Sequence, residues 1–254
     1  MAAGLASKTA SKAIGHPMEK HHRHLRYHVL DRWLARGAVL VIVALQIGFV
    51  NDLSVGPAWL APVIELALLI PLSAGTIWTQ RSVRKAETIA QWRRVRTRRR
   101  FVRTLAIALT AFSTVINFVA LVLLIQAILY GHAGTGRALL IDAINIWTTN
   151  VLIFALWFWF LDRGGPSSRG LVPDHKRDFL FTQQQQGAGE EAGFAGWLPG
   201  FIDYLFLAFT NATAFSPADT FPLTVRAKLL MMAESAISLI TIAVVASRAV
   251  GILS

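Results

Sequence analysis

The sequence predicts an all-α fold: a polytopic transmembrane helical bundle of about five spans, with a short re-entrant helix and loop near its C-terminal end. Three observations carry that prediction. Of 254 residues, 54% are hydrophobic and 15% charged, against roughly 45–50% and 25% in ordinary soluble domains. The apolar residues are gathered into runs long enough for helices to cross about 30 Å of hydrocarbon, where a helix satisfies its own backbone hydrogen bonds. Near the end of the chain, Pro217 and Pro222 cut a short apolar helix off from the long apolar run that follows.

Residues 1–36 form a basic, histidine-rich segment on the cytoplasmic side, with an amphipathic stretch from Met18 to Arg36 suited to lying on the inner leaflet. The transmembrane region covers 37–161. Its first run, Gly37 to Val50, and its second, Ala58 to Trp78, form a hairpin turned at Asn51, Asp52 and Gly56-Pro57. The loop 79–104 is arginine-rich, and its stretch from Arg81 to Arg103 is expected to be helical and to run into the third span, Leu105 to Tyr130, as one long helix. The fourth span is Leu139 to Leu161, after a glycine-rich turn. Residues 162–196 are polar and rich in Gly, Ser, Pro and Gln, a composition that buries no core and reads as loop. The last segment, 197–254, holds the re-entrant unit and a fifth span, Val225 to Leu253.

Charge placement orients this bundle. Seven Lys/Arg precede the first span and ten lie between the second and third, whereas the loop after the third holds only Arg137. The positive-inside rule places the N-terminus and the arginine-rich loop in the cytoplasm of a cell, at its inner or plasma membrane. The net charge of +11 then belongs to topology and to anionic lipid headgroups, at about 1 kcal/mol per residue near the surface. No aromatic-interleaved basic module accompanies it, so nucleic acid is not an expected partner. Two arrangements fit the charges. If residues 201–215 dip in and return, 23 of the 25 Lys/Arg lie inside and the C-terminus is outside; if they cross, 22 lie inside and the C-terminus is inside.

The chain has no cysteine, which excludes disulfides, thiolate catalysis and thiolate metal sites. No cleavable leader is read at the start, so the first span is expected to stay as an anchor. There is no nucleophile elbow, P-loop, zinc-helix motif or dinucleotide fingerprint, so the chain is not expected to be an enzyme or to carry a cofactor or metal. Five histidines cluster at His16, His21, His22, His24 and His28; their ordinary role is in a basic interfacial helix.

Polar residues inside spans are the remaining candidates. Asp142, Asn145 and Thr149 share one face of the fourth span, with Thr148 and Asn150 beside it, and interhelical hydrogen bonding is their expected role. Glu65 is a lone acid in the second span. Glu234, Ser238 and Thr241 share a face of the fifth, where they either line a hydrated cavity or pair within the bundle, Lys228 and Arg248 being possible partners of the acid.

The C-terminal segment carries the most specific pattern. Trp197-Leu198-Pro199-Gly200 opens a short aromatic helix ending in Asn211-Ala212-Thr213; Asp219, Phe221, Pro222 and Thr224 follow, and a long apolar helix begins at once. This order resembles the pore helix, selectivity filter and inner helix of tetrameric potassium-type channels, over roughly the last 55 residues. The resemblance implies a homo-oligomer, a tetramer by family pattern, with Thr213, Ala214, Phe215, Ser216, Pro217, Ala218 and Asp219 lining a pore and Glu234, Ser238 and Thr241 facing it. The filter positions lack glycine, which a ring of ion-facing carbonyls requires. A weakly selective or cation-preferring ion channel is therefore expected, not a potassium-selective one. The alternative is a non-conducting membrane sensor, scaffold or accessory subunit whose basic segments meet lipid or a partner.

Overall fold

The computed structural model describes residues 30–31, 33–48, 57, 59–83, 89–130, 135–165, 177–185, 197–214 and 220–253. Six helices account for most of them: α1 (Trp33–Ile47), α2 (Leu60–Val83), α3 (Ile89–Leu129), α4 (Gly136–Leu161), α5 (Phe201–Ala214) and α6 (Val225–Leu253). Two three-residue strands, β1 (Phe179–Phe181) and β2 (Thr220–Pro222), pair antiparallel.

The chain is mostly helical, as its composition predicts. Among the described residues, three helices are long and apolar enough to cross a membrane: Arg100–Leu129, Gly136–Leu161 and Val225–Ser247. At the first two predicted spans, Trp33–Ile47 and Leu60–Ile70 are apolar helical stretches, and α2 itself continues to Val83. The long third helix is present: α3 runs unbroken for 41 residues, about 60 Å, from the arginine-rich stretch into the apolar run. Its arginine-rich end defines what we term the arginine end of the bundle.

Local chemistry sets the helix limits. Thr135 caps α4, its hydroxyl accepting from Ala138 N at 3.3 Å. At the other end the Asp162 N–H donates to Phe158 O, and the chain turns through Arg163 (φ 52°) and Gly165 (φ 83°). A Cβ on Gly165 would lie 2.9 Å from Phe160 O, so both conformation and space call for glycine there. Thr224 caps α6 by accepting from Ala227 N at 3.3 Å.

Helix α4 is the hub, packed against α3, α5 and α6, while α2 packs on α3. The main core joins α1, α3, α4, α5, β1 and the start of α6; a second cluster joins the far halves of α3 and α4 to α6. One expectation needs correction. Within 162–196 the described residues include β1 and two 3-10 turns, Asp162–Gly164 and Thr182–Gln184. Phe179 and Phe181 are buried among aromatic rings, so this polar region contributes two side chains to the core after all.

Candidate functional site: a half-helix braced beside the final helix

The contacts of α5 fix its direction. Its first residue, Phe201, stacks edge-on against Trp159 near the end of α4 (5.4 Å), and Phe209 meets Trp147 about three turns earlier on α4 (5.9 Å). So α5 runs antiparallel to α4. Asn211, near the end of α5, meets Met231 and Glu234, about two turns into α6, so α5 and α6 run parallel. The 14 residues of α5 cover about 20 Å. By Thr220 the chain is back at the arginine end, because Thr220 pairs with Phe181, whose ring packs on Tyr204 in the first turn of α5. The half-helix therefore starts at the arginine end, stops midway, and the chain returns to the same end before α6 begins.

The arginine end is held by acids that tie distant segments together. Asp162, fully buried, accepts from the Tyr204 hydroxyl at 2.5 Å and from Asp178 N at 2.7 Å, with Arg163 Nε 3.7 Å away. Asp178, also buried, receives Arg226 through two bonds, Nε at 2.6 Å and a terminal nitrogen at 2.5 Å. It also accepts from the Thr224 hydroxyl at 2.6 Å, while Leu223 N donates to its carbonyl at 2.8 Å. One aspartate thus sets the start of α5 through Tyr204, and the other sets the start of α6. Asp31, just before α1, accepts from Phe201 N at 3.0 Å, and Asp203 reaches back to Gly200 N at 2.6 Å. Carboxylates at the positive N-terminal end of α5 are favoured by its dipole. Gly200 is needed for this approach, since a Cβ there would lie 2.7 Å from Asp31 Oδ1.

Midway along the bundle a second polar layer braces α5. Asn211 Nδ2 donates to Glu234 Oε2 at 2.7 Å and to Met231 O at 3.0 Å, and the Ser235 hydroxyl donates to Asn211 O at 3.3 Å. From α4, Asn150 Nδ2 donates to Ser238 Oγ at 3.0 Å. Glu234, Ser238 and Thr241 do share a face, and that face is fully buried against α4 and α5. Thr241 bonds Ile237 O of its own helix. The partner of Glu234 is therefore Asn211, an amide. The outward face of α6 is apolar at this depth, with Leu229, Met232, Leu239, Ile240 and Ile242 exposed.

Of the predicted loop residues, Thr213 and Ala214 lie exposed at the end of α5, the Thr213 hydroxyl bonded to Phe209 O at 2.8 Å. Phe215, Ser216, Pro217, Ala218 and Asp219 lie outside the described residues, as do the five clustered histidines. On α4, Asn145 donates to Gly48 O of α1 at 3.2 Å, so the predicted polar face makes interhelical bonds there as well as at Asn150. Sequence reading missed the Asp162, Asp178, Tyr204 and Arg226 set. The available signal was local: acids directly after a span and directly before an aromatic triplet, Phe179-Leu180-Phe181.

No family model, curated protein or solved structure matches the chain.

Proposed function

We propose that this chain is a multi-pass membrane protein whose C-terminal unit, α4 to α6, is a channel-like pore module that works as a homo-oligomer, with a weakly selective, cation-preferring path. The observation that carries the reading is the half-helix α5, lying parallel to α6 and ending midway along the bundle. A helix C-terminus carries about half a negative charge in its unpaired carbonyls. Placed at mid-depth in a low-dielectric layer, it favours a cation. Thr213 and Ala214 are exposed where that end is presented, and Asp219 follows five residues on. By the positive-inside rule the arginine end is cytoplasmic, so the half-helix opens from the cytoplasmic side. In this reading α1 and α2 add two crossings to those of α3, α4 and α6, and the arginine-rich start of α3 meets anionic headgroups.

The second reading is a non-conducting scaffold or accessory subunit. Two observations favour it: the polar stripe of α6 is turned inward onto Asn211 and Asn150, and the outward face of α6 is apolar. A path between copies would then depend on residues 213–219 alone. Ion flux into liposomes holding the purified protein separates the two. The channel reading expects cation flux that falls at least several-fold in Asp219→Asn; absence of flux at either voltage polarity removes it and leaves the scaffold.

A further inference from the structure

Away from the C-terminal unit, α1, α2 and α3 meet at another buried acid. Glu65 is fully buried and Gln46 is nine-tenths buried. Glu65 Oε1 accepts twice, from Gln46 Nε2 at 3.0 Å and from the Ser113 hydroxyl at 2.6 Å. Its other oxygen, Oε2, has no hydrogen-bond partner, and neither has Gln46 Oε1. Two orphaned acceptors on one bonded pair of side chains lack a donor between them. An unpaired buried acceptor is destabilising, and the pair carries two.

We propose that Glu65 holds a proton at this site: the carboxylate and one H+ form a carboxylic acid whose Oε2–H is donated to Gln46 Oε1. The acid and the amide then form a two-bond ring, N–H to Oε1 in one direction and O–H to the amide oxygen in the other. Every polar atom of the pair gains a partner, and α1 is bound to α2 by two hydrogen bonds in place of one, with Ser113 adding α3. The surroundings supply no competing charge. Between Gly37 and Gly48 on α1, from Thr104 to Leu129 on α3 and from Trp59 to Trp78 on α2, Glu65 is the only ionisable side chain. On α4, Asp142 lies one turn toward the far end from Asn145, which itself bonds Gly48 at the end of α1.

Infrared difference spectroscopy on the full-length protein in lipid nanodiscs tests this at neutral pH. Wild type minus Glu65→Gln isolates this one carboxyl, the others being common to both. The proposal expects an un-ionised acid carbonyl band that shifts in D2O. Carboxylate bands in its place overturn it. Should Glu65→Gln fail to fold, Gln46→Leu keeps the acid and removes its acceptor. That variant is expected to move the acid band to the frequency of a free carbonyl–hydroxyl group, and an unmoved spectrum overturns the ring.

Discussion

At the residue scale, the fold rests on a few positions whose chemistry has no substitute. Gly165 adopts φ 83° with Phe160 O where its Cβ would go, at the turn that brings the chain off α4 toward β1. Gly165→Ala is expected to destabilise the protein by about 1–3 kcal/mol, the cost of a strained left-handed residue, read as a lower unfolding midpoint in detergent. Asp162 and Asp178 are similar in kind: each joins segments separated by 16 to 48 residues. Such pairings leave no periodic trace, which is why the arginine-end acids were not legible in the sequence while Glu234, Ser238 and Thr241, four and three residues apart, were. Even there, spacing told which residues share a face and not what the face meets. Whether a polar stripe turns to water or to another helix is decided by tertiary packing.

At the element scale, α5 is held by an amide-to-acid bond and by rings. Asn211 binds Glu234, while Phe201, Tyr204 and Phe209 stack on Trp159, Phe179, Phe181 and Trp147. Aromatic pairs contribute about 0.5–1.5 kcal/mol each beyond their buried area, and hydrogen bonds between membrane helices average about 0.6 and reach about 1.7 kcal/mol. The rings should therefore dominate the docking and Asn211 should set its register. A double-mutant cycle of Asn211→Ala and Glu234→Ala is expected to give a coupling of about 1–2 kcal/mol in unfolding free energy; additive effects would mean that the two side chains do not meet. The half-helix itself was readable from Pro199-Gly200 at its start and Pro217 beyond its end, and so was the fusion of the arginine-rich loop with the third span. The strand β1 was not, because three apolar residues in a polar stretch carry no signal until their partner, Thr220–Pro222, is known.

At the scale of the whole molecule, two buried acids lie at about the same depth on opposite sides of the α3–α4 pair. Glu65 meets Ser113 on α3, four residues before Asn117, and Asn117 bonds Ile146 of α4; Glu234 lies beside Asn150, four residues after Ile146. The middle of the bundle is thus a polar layer between apolar halves, with helices of unequal length meeting at it. Composition made the helical class plain, and with it the apolar helices of membrane-crossing length. The account turns on α5 dipping in and returning, which places Ile202 and Leu223, both exposed, at the arginine end and the C-terminus at the far end. The absence of cysteine makes single-cysteine labelling unambiguous: Ile202→Cys, Leu223→Cys and Ser254→Cys, probed in sealed vesicles with a membrane-impermeant maleimide. The account predicts that positions 202 and 223 label from one side, the side of the N-terminus, and position 254 from the other. Labelling of 202 and 223 from opposite sides would mean that α5 crosses the membrane, and would contradict it.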